Sequence, residues 1–154
     1  MNIKQLTFLA ALAATLVLAP RAAAHCQIPC GIYDDKNVMD RMHTDYETIE
    51  KSVKMIPELM KDPAKNANQV GRWIFNKEQH AQAIQDTVGA YFLAQRLKPD
   101  EAGSDNKSYL RKLTACHRVI VAAMKCKQGV NPADVEKLHD ELHEFAEAFG
   151  LEAN

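Results

Sequence analysis

A chain of 154 residues with 47% hydrophobic and 25% charged side chains has room for one hydrophobic core, not two, once an N-terminal segment is set aside. Its formal charge of −1 offers no basic surface of the kind that nucleic-acid binding uses. Four cysteines fall into two pairs, Cys26 with Cys30 and Cys116 with Cys126, and spacing alone leaves open whether either pair is joined.

Residues 1–24 read as a signal peptide. Lys4 lies in a short opening region, an apolar run follows from Leu6 to Leu18, and Ala22-Ala23-Ala24 forms a small-residue cleavage pattern. The apolar run is shorter than the ~20 residues of a spanning helix. No twin arginine precedes it, so the expected route is the general secretory one, to the periplasm or the exterior. Cleavage after Ala24 removes Lys4 and Arg21, two of the 19 basic residues and none of the 20 acidic ones, which leaves 17 against 20, or −3. The mature chain is then expected to be free of the membrane.

From His25 to Asp35 the sequence has no helical period and carries Pro29 and Gly31, which predicts a looped hook over residues 25–35. Residues 36–154 read as helical throughout. Val38, Met42, Tyr46, Ile49 and Val53 recur at spacings of three and four, the stripe of an amphipathic helix running from near Lys36 into Pro57. Asp34 or Asp35 can cap its start. The polar stretch Lys61 to Asn66 separates it from a second stripe of Val70, Ile74, Ala81, Ile84, Val88 and Tyr91. After a loop at Pro99 to Ser104, a third stripe is expected from Leu110, Leu113, His117, Ile120 and Met124, with Gly129 beyond its end. Asn131 and Pro132 stand where an N-cap and a first helical residue belong, and Val135, Leu138, Leu142, Phe145 and Phe149 form the fourth stripe. Four amphipathic helices with short connections predict an all-α protein, a four-helix bundle preceded by the hook.

The hook carries the chemistry. With His25 at the new terminus, its amine, the amide nitrogen of Cys26 and the Cys26 thiolate close two fused five-membered chelate rings on one metal. The Cys30 thiolate comes round the Pro29 turn to a fourth planar position, and the His25 ring reaches an axial one. A planar set of nitrogen and thiolate donors suits nickel(II) or copper(II), not the tetrahedral side-chain cage of structural zinc. General affinity order favours copper, so the residues alone leave both metals open. Thiolates and a deprotonated amide stabilise a trivalent ion and so open a one-electron cycle.

The run His25-Cys26-x-x-Pro29-Cys30-Gly31-x-Tyr33 resembles the signature of the nickel-containing superoxide dismutases, and the likeness continues more weakly to about Phe149. The resemblance implies a homohexamer of four-helix bundles. It implies one nickel per chain, held by the amine and imidazole of His25, the amide and thiolate of Cys26 and the thiolate of Cys30. The activity implied is disproportionation of superoxide to dioxygen and hydrogen peroxide through a Ni(II)/Ni(III) cycle, with exposure of His25 left to signal peptidase or a dedicated peptidase. Tyr33 matches the tyrosine that stands over the vacant face of the metal and gates access. The family surrounds the axial imidazole with a glutamate and an arginine. In this chain His80, in Lys77-Glu78-Gln79-His80, stands for the arginine, and Asp40 is the nearest carboxylate for the glutamate. Gln27 replaces an acidic residue.

Competing readings are blander. Cys26 and Cys30 could form a plain disulfide in an exported chain, or the hook could carry copper or nickel without turnover. Lys36 could draw in an anion or simply be solvated. Cys116 and Cys126, about 15 Å apart along one helix at 1.5 Å per residue, are expected to be core thiols. His139 and His143 are spaced i, i+4, and with Asp40-x-x-His43 and Glu136-x-x-His139 they faintly resemble a di-iron pattern. The fourth stripe turns Glu136 outward, so the expectation for these histidines is a flanking or solvated face.

Overall fold

The structure, a computed structural model, describes residues 31–151 except 105. The signal segment and the hook ligands His25, Cys26 and Cys30 lie outside the described residues. Among the described ones every regular element is helical. Helix α1 covers Asp35–Leu59, α2 covers Pro63–Thr87 and passes into a π-helical segment at Val88–Arg96, α3 is a short turn at Glu101–Ser104, α4 covers Asn106–Gln128 and α5 covers Pro132–Phe149. Neighbours in sequence pack side by side, α4 lies against α2, and α5 closes the bundle against α1. No described helix is long and apolar enough to cross a membrane.

Local chemistry sets the helix ends. Asp34 caps α1 by accepting a bond from the Asn37 amide at 3.2 Å, and its carboxyl is held below the ordinary range chiefly by the Asn37 side chain and then by that amide. Asp62 caps α2 by accepting from the Lys65 amide, with Pro63 in the first turn, so the polar stretch expected as a loop is largely the opening of a helix. Its signal, Asp followed by Pro, stands in the sequence. Asn131 caps α5 ahead of Pro132 as expected, and α5 ends on Gly150 at φ +69°, a left-handed residue that glycine adopts without strain. Pro57 does not stop α1, which continues to Leu59. A proline this close to the end forfeits one backbone bond and leaves the turn before it intact.

The core joins Met42, Ile49 and Val53 of α1, Ala81 and Ile84 of α2, and Leu138, Leu142 and Phe145 of α5, as their stripes predict. Helix α4 corrects the expectation. Its buried face is Ala115, Cys116, Val119, Ala122, Ala123 and Cys126, whereas Leu110, Leu113 and Met124 are exposed. Small side chains let this helix approach α2 and α5 closely. A reading that ranks stripes by hydrophobic bulk therefore picks the neighbouring face. The same inversion occurs once on α2, where Ile74 is exposed and Lys77 is buried.

Candidate functional site

Gly31, the glycine of the signature, has φ +76°. That left-handed turn favours glycine, and it leads the chain to Tyr33 and the start of α1. Tyr33 is half-buried against the core. Its ring meets that of Tyr91 edge-on, with centroids 5.8 Å apart and planes at 86°. The Arg96 guanidinium lies 4.5 Å from the ring centroid on the face of Tyr33, close enough for cation–π attraction.

Both partners are fixed by Asp35. Arg96 donates from Nε to Oδ1 at 2.9 Å and from Nη2 to Oδ2 at 2.7 Å, the two-point geometry that makes guanidinium–carboxylate pairs strong. The Tyr91 hydroxyl donates to Asp35 Oδ1 at 2.6 Å and accepts from the Asp34 amide at 2.9 Å. Burial, then the bond to Asp35, pushes the Tyr91 hydroxyl up to about 12. The bond to Asp35 likewise raises the Arg96 pKa. Tyr91 and Arg96 are both supplied by the π-helical segment. Residues five apart on an α-helix diverge by about 140°, but i to i+5 bonding of the kind seen here, with the Leu97 amide donating to the Phe92 carbonyl at 2.8 Å, brings such residues onto one side. The wide turn thus aims Tyr91 and Arg96 at the same carboxylate.

The sequence does not reveal this clamp. Tyr91 was expected only as a core residue, and Asp35 and Arg96 were given no role at the site. An arginine closing an otherwise apolar run was the available signal.

The carboxylate beside His80 is Asp45, with Nδ1···Oδ1 at 2.6 Å. The expected pairing with Asp40 is thereby corrected. Asp45 lies five residues nearer the α1–α2 turn than Asp40, about 7.5 Å of helix rise, and the antiparallel hairpin sets it level with His80. Asp40 accepts from Lys36 at 2.8 Å, so Lys36, read either as an anion attractor or as a solvated lysine, is an exposed, ion-paired one. Cys116 and Cys126 are free and buried, and burial raises their thiols to about 12 and about 11. They fit the expected role of unreactive core residues. No set of three or more His, Cys, Asp or Glu side chains among the described residues is placed to hold a metal ion.

Searches of curated proteins and of solved structures return no match. The family model described as nickel-containing superoxide dismutase matches residues 20–152, a span that includes the hook, the clamp and nearly all of the bundle. On that match the chain belongs to the nickel-containing superoxide dismutases, oxidoreductases that use nickel to disproportionate superoxide.

Proposed function

We propose that the enzyme holds one nickel ion per mature chain through the amine and imidazole of His25, the amide and thiolate of Cys26 and the thiolate of Cys30, with Tyr33 as the gate. The observation that carries this reading is the run His25-Cys26-x-x-Pro29-Cys30-Gly31-x-Tyr33 standing directly behind Ala22-Ala23-Ala24. The donor set fits the metal, because mixed nitrogen and thiolate ligands of this kind suit planar nickel(II). When bound, nickel supplies a one-electron couple that can both accept an electron from superoxide and return one to it.

The chain's own part is access and order. Tyr33 is held on one side by Tyr91 and on its face by Arg96, so its ring is a fixed wall, suited to ordering water and admitting only small anions.

Cleavage after Ala24 by signal peptidase or a dedicated peptidase, followed by work in the periplasm or outside the cell, belongs to the same proposal, since only cleavage makes the His25 amine available. So does a homohexamer. Its support is the apolar surface left on single chains, with Phe75 62% exposed and Leu110 50% exposed, which subunit contacts would cover.

One experiment tests the ligand set. A mature chain with one alanine added before His25 turns the ligating amine into an amide. It should keep its helical circular dichroism and lose nickel and superoxide consumption together. Activity retained in that chain defeats the amine ligand. Nickel retained without turnover in the natural chain would instead favour a carrier, and two missing thiols in the metal-stripped chain would favour a structural disulfide.

A further inference from the structure

Helix α5 reads His139-Asp140-Glu141-Leu142-His143, which sets two imidazoles one turn apart on one face. They were expected on a flanking or solvated surface, and both are half-buried on the flank of α5 at its seam with α1, where His139 meets the Tyr46 ring at 5.0 Å and the His43 ring at 6.5 Å between centroids. The two Nε2 atoms face each other at 3.1 Å. We propose that His139 and His143 form a second cation site, which takes a divalent ion of the zinc, copper or nickel class through these two nitrogens.

The distance carries the argument. Two nitrogens each bonded to one ion at 2.0–2.1 Å and separated as these are subtend about 100° at the metal, between the right angle of planar or octahedral sites and the tetrahedral angle. Imidazole is the donor that zinc, copper and nickel share. With no metal, one ring donates its Nε2 proton to the other. On binding, that donor ring shifts its proton to Nδ1, and both Nε2 lone pairs face the ion. The ligands thus enter as neutral imidazoles and no net proton is lost.

The surroundings favour a cation. The Tyr46 hydroxyl is pushed above its ordinary range first by burial and then by Glu50, Glu136, Glu47 and Asp140, which marks the seam as negative. Lys54, paired with Glu50 at 2.9 Å, offsets only part of that charge. A groove of about 370 Å³ between α1 and α5, lined in part by Tyr46, Glu50, Glu136 and His139, gives an ion and its waters a way in. His43 Nε2 lies 3.8 Å from Glu47, and among the described residues no third His, Cys, Asp or Glu joins the pair as a ligand. Water completes the coordination, which makes the site exchangeable rather than a closed structural one.

The test uses nickel-loaded mature enzyme dialysed against zinc. One zinc per chain should bind in addition to the nickel. His139→Ala and His143→Ala should each weaken it by at least about tenfold, the loss that follows from removing even a supporting partner of a ligand. Superoxide consumption should stay unchanged in both variants. The Cys26→Ser/Cys30→Ser chain should still take the zinc, so this site stands or falls separately from the hook. Should the histidine variants not fold, carbethoxylation of the natural chain replaces them, and zinc should protect His139 and His143 from the reagent. No zinc uptake by the natural chain, uptake unchanged in folded variants, or full reactivity of both histidines in zinc overturns the proposal.

Discussion

Two cationic side chains reach across this bundle, and they do different work because their surroundings differ. Arg96 is 33% exposed and pairs with a carboxylate, Asp35, while stacking on Tyr33. Lys77 is 3% exposed. Its ammonium donates to the Cys126 carbonyl at 2.6 Å, the Lys127 carbonyl at 2.9 Å and Glu78 Oε1 at 3.0 Å. Those carbonyls are among the last four of α4, which have no partner inside their own helix, so a lysine from α2 satisfies the end of a neighbouring helix. The first charge orients the Tyr33 ring. The second satisfies buried backbone, and all three of its protons are used. A charge at the rim is thus free to serve position, whereas a buried one is committed to stability.

If that contrast is right, Lys77→Met should show the largest loss of stability. One buried and one half-buried carbonyl lose a charged donor, and the cost should be about 3 kcal/mol, read as a lower urea midpoint with an unchanged slope. Nickel-loaded enzyme that survives as folded protein should keep its turnover number. A change below about 1 kcal/mol would mean that water replaces the ammonium and that the cap is not structural.

Arg96→Ala should reverse the balance. The partly exposed pair contributes on the order of 1 kcal/mol, but release of the Tyr33 ring should lower kcat/KM by roughly tenfold to a hundredfold, as small displacements at reacting centres do. Retention of nickel and of helical content in this variant would isolate the effect to Tyr33. Unaltered kinetics would place Tyr33 outside the gate.

Tyr91→Phe sharpens the clamp by pH. The natural tyrosine ionises near 10 when unfolded and near 12 when folded, so the folded chain holds the proton that the unfolded one gives up. The stabilisation is therefore complete below pH 10 and is lost as pH rises toward 12. Urea midpoints of the natural chain should fall across that window more steeply than those of Tyr91→Phe. Parallel curves would mean the hydroxyl titrates as if exposed.

The smallest effect concerns the thiols. In metal-stripped, folded protein at neutral pH, iodoacetamide should label Cys26 and Cys30 and leave Cys116 and Cys126 unmodified, since burial keeps the latter pair as thiols. Labelling of Cys126 before unfolding would show that the end of α4 opens readily, a direct sign that the Lys77 cap is weak.

Sequence alone determined the helical class and most helix limits, and it supplied the motif on which the proposed nickel ligands rest. Each of these is local. Periodicity, capping side chains and donor atoms within six consecutive residues act over a turn or two of chain, and Asp34, Asn131 and the run from His25 to Cys30 state them directly. Tertiary structure decided which face of α4 is buried, that Asp45 and not Asp40 meets His80, and that Tyr91 and Arg96 converge on Asp35. These depend on how closely two helices approach, how an antiparallel pair is registered, and where a helix widens to a π-turn. All three are settled by packing summed over the bundle, to which no short stretch of sequence contributes enough to reveal the outcome.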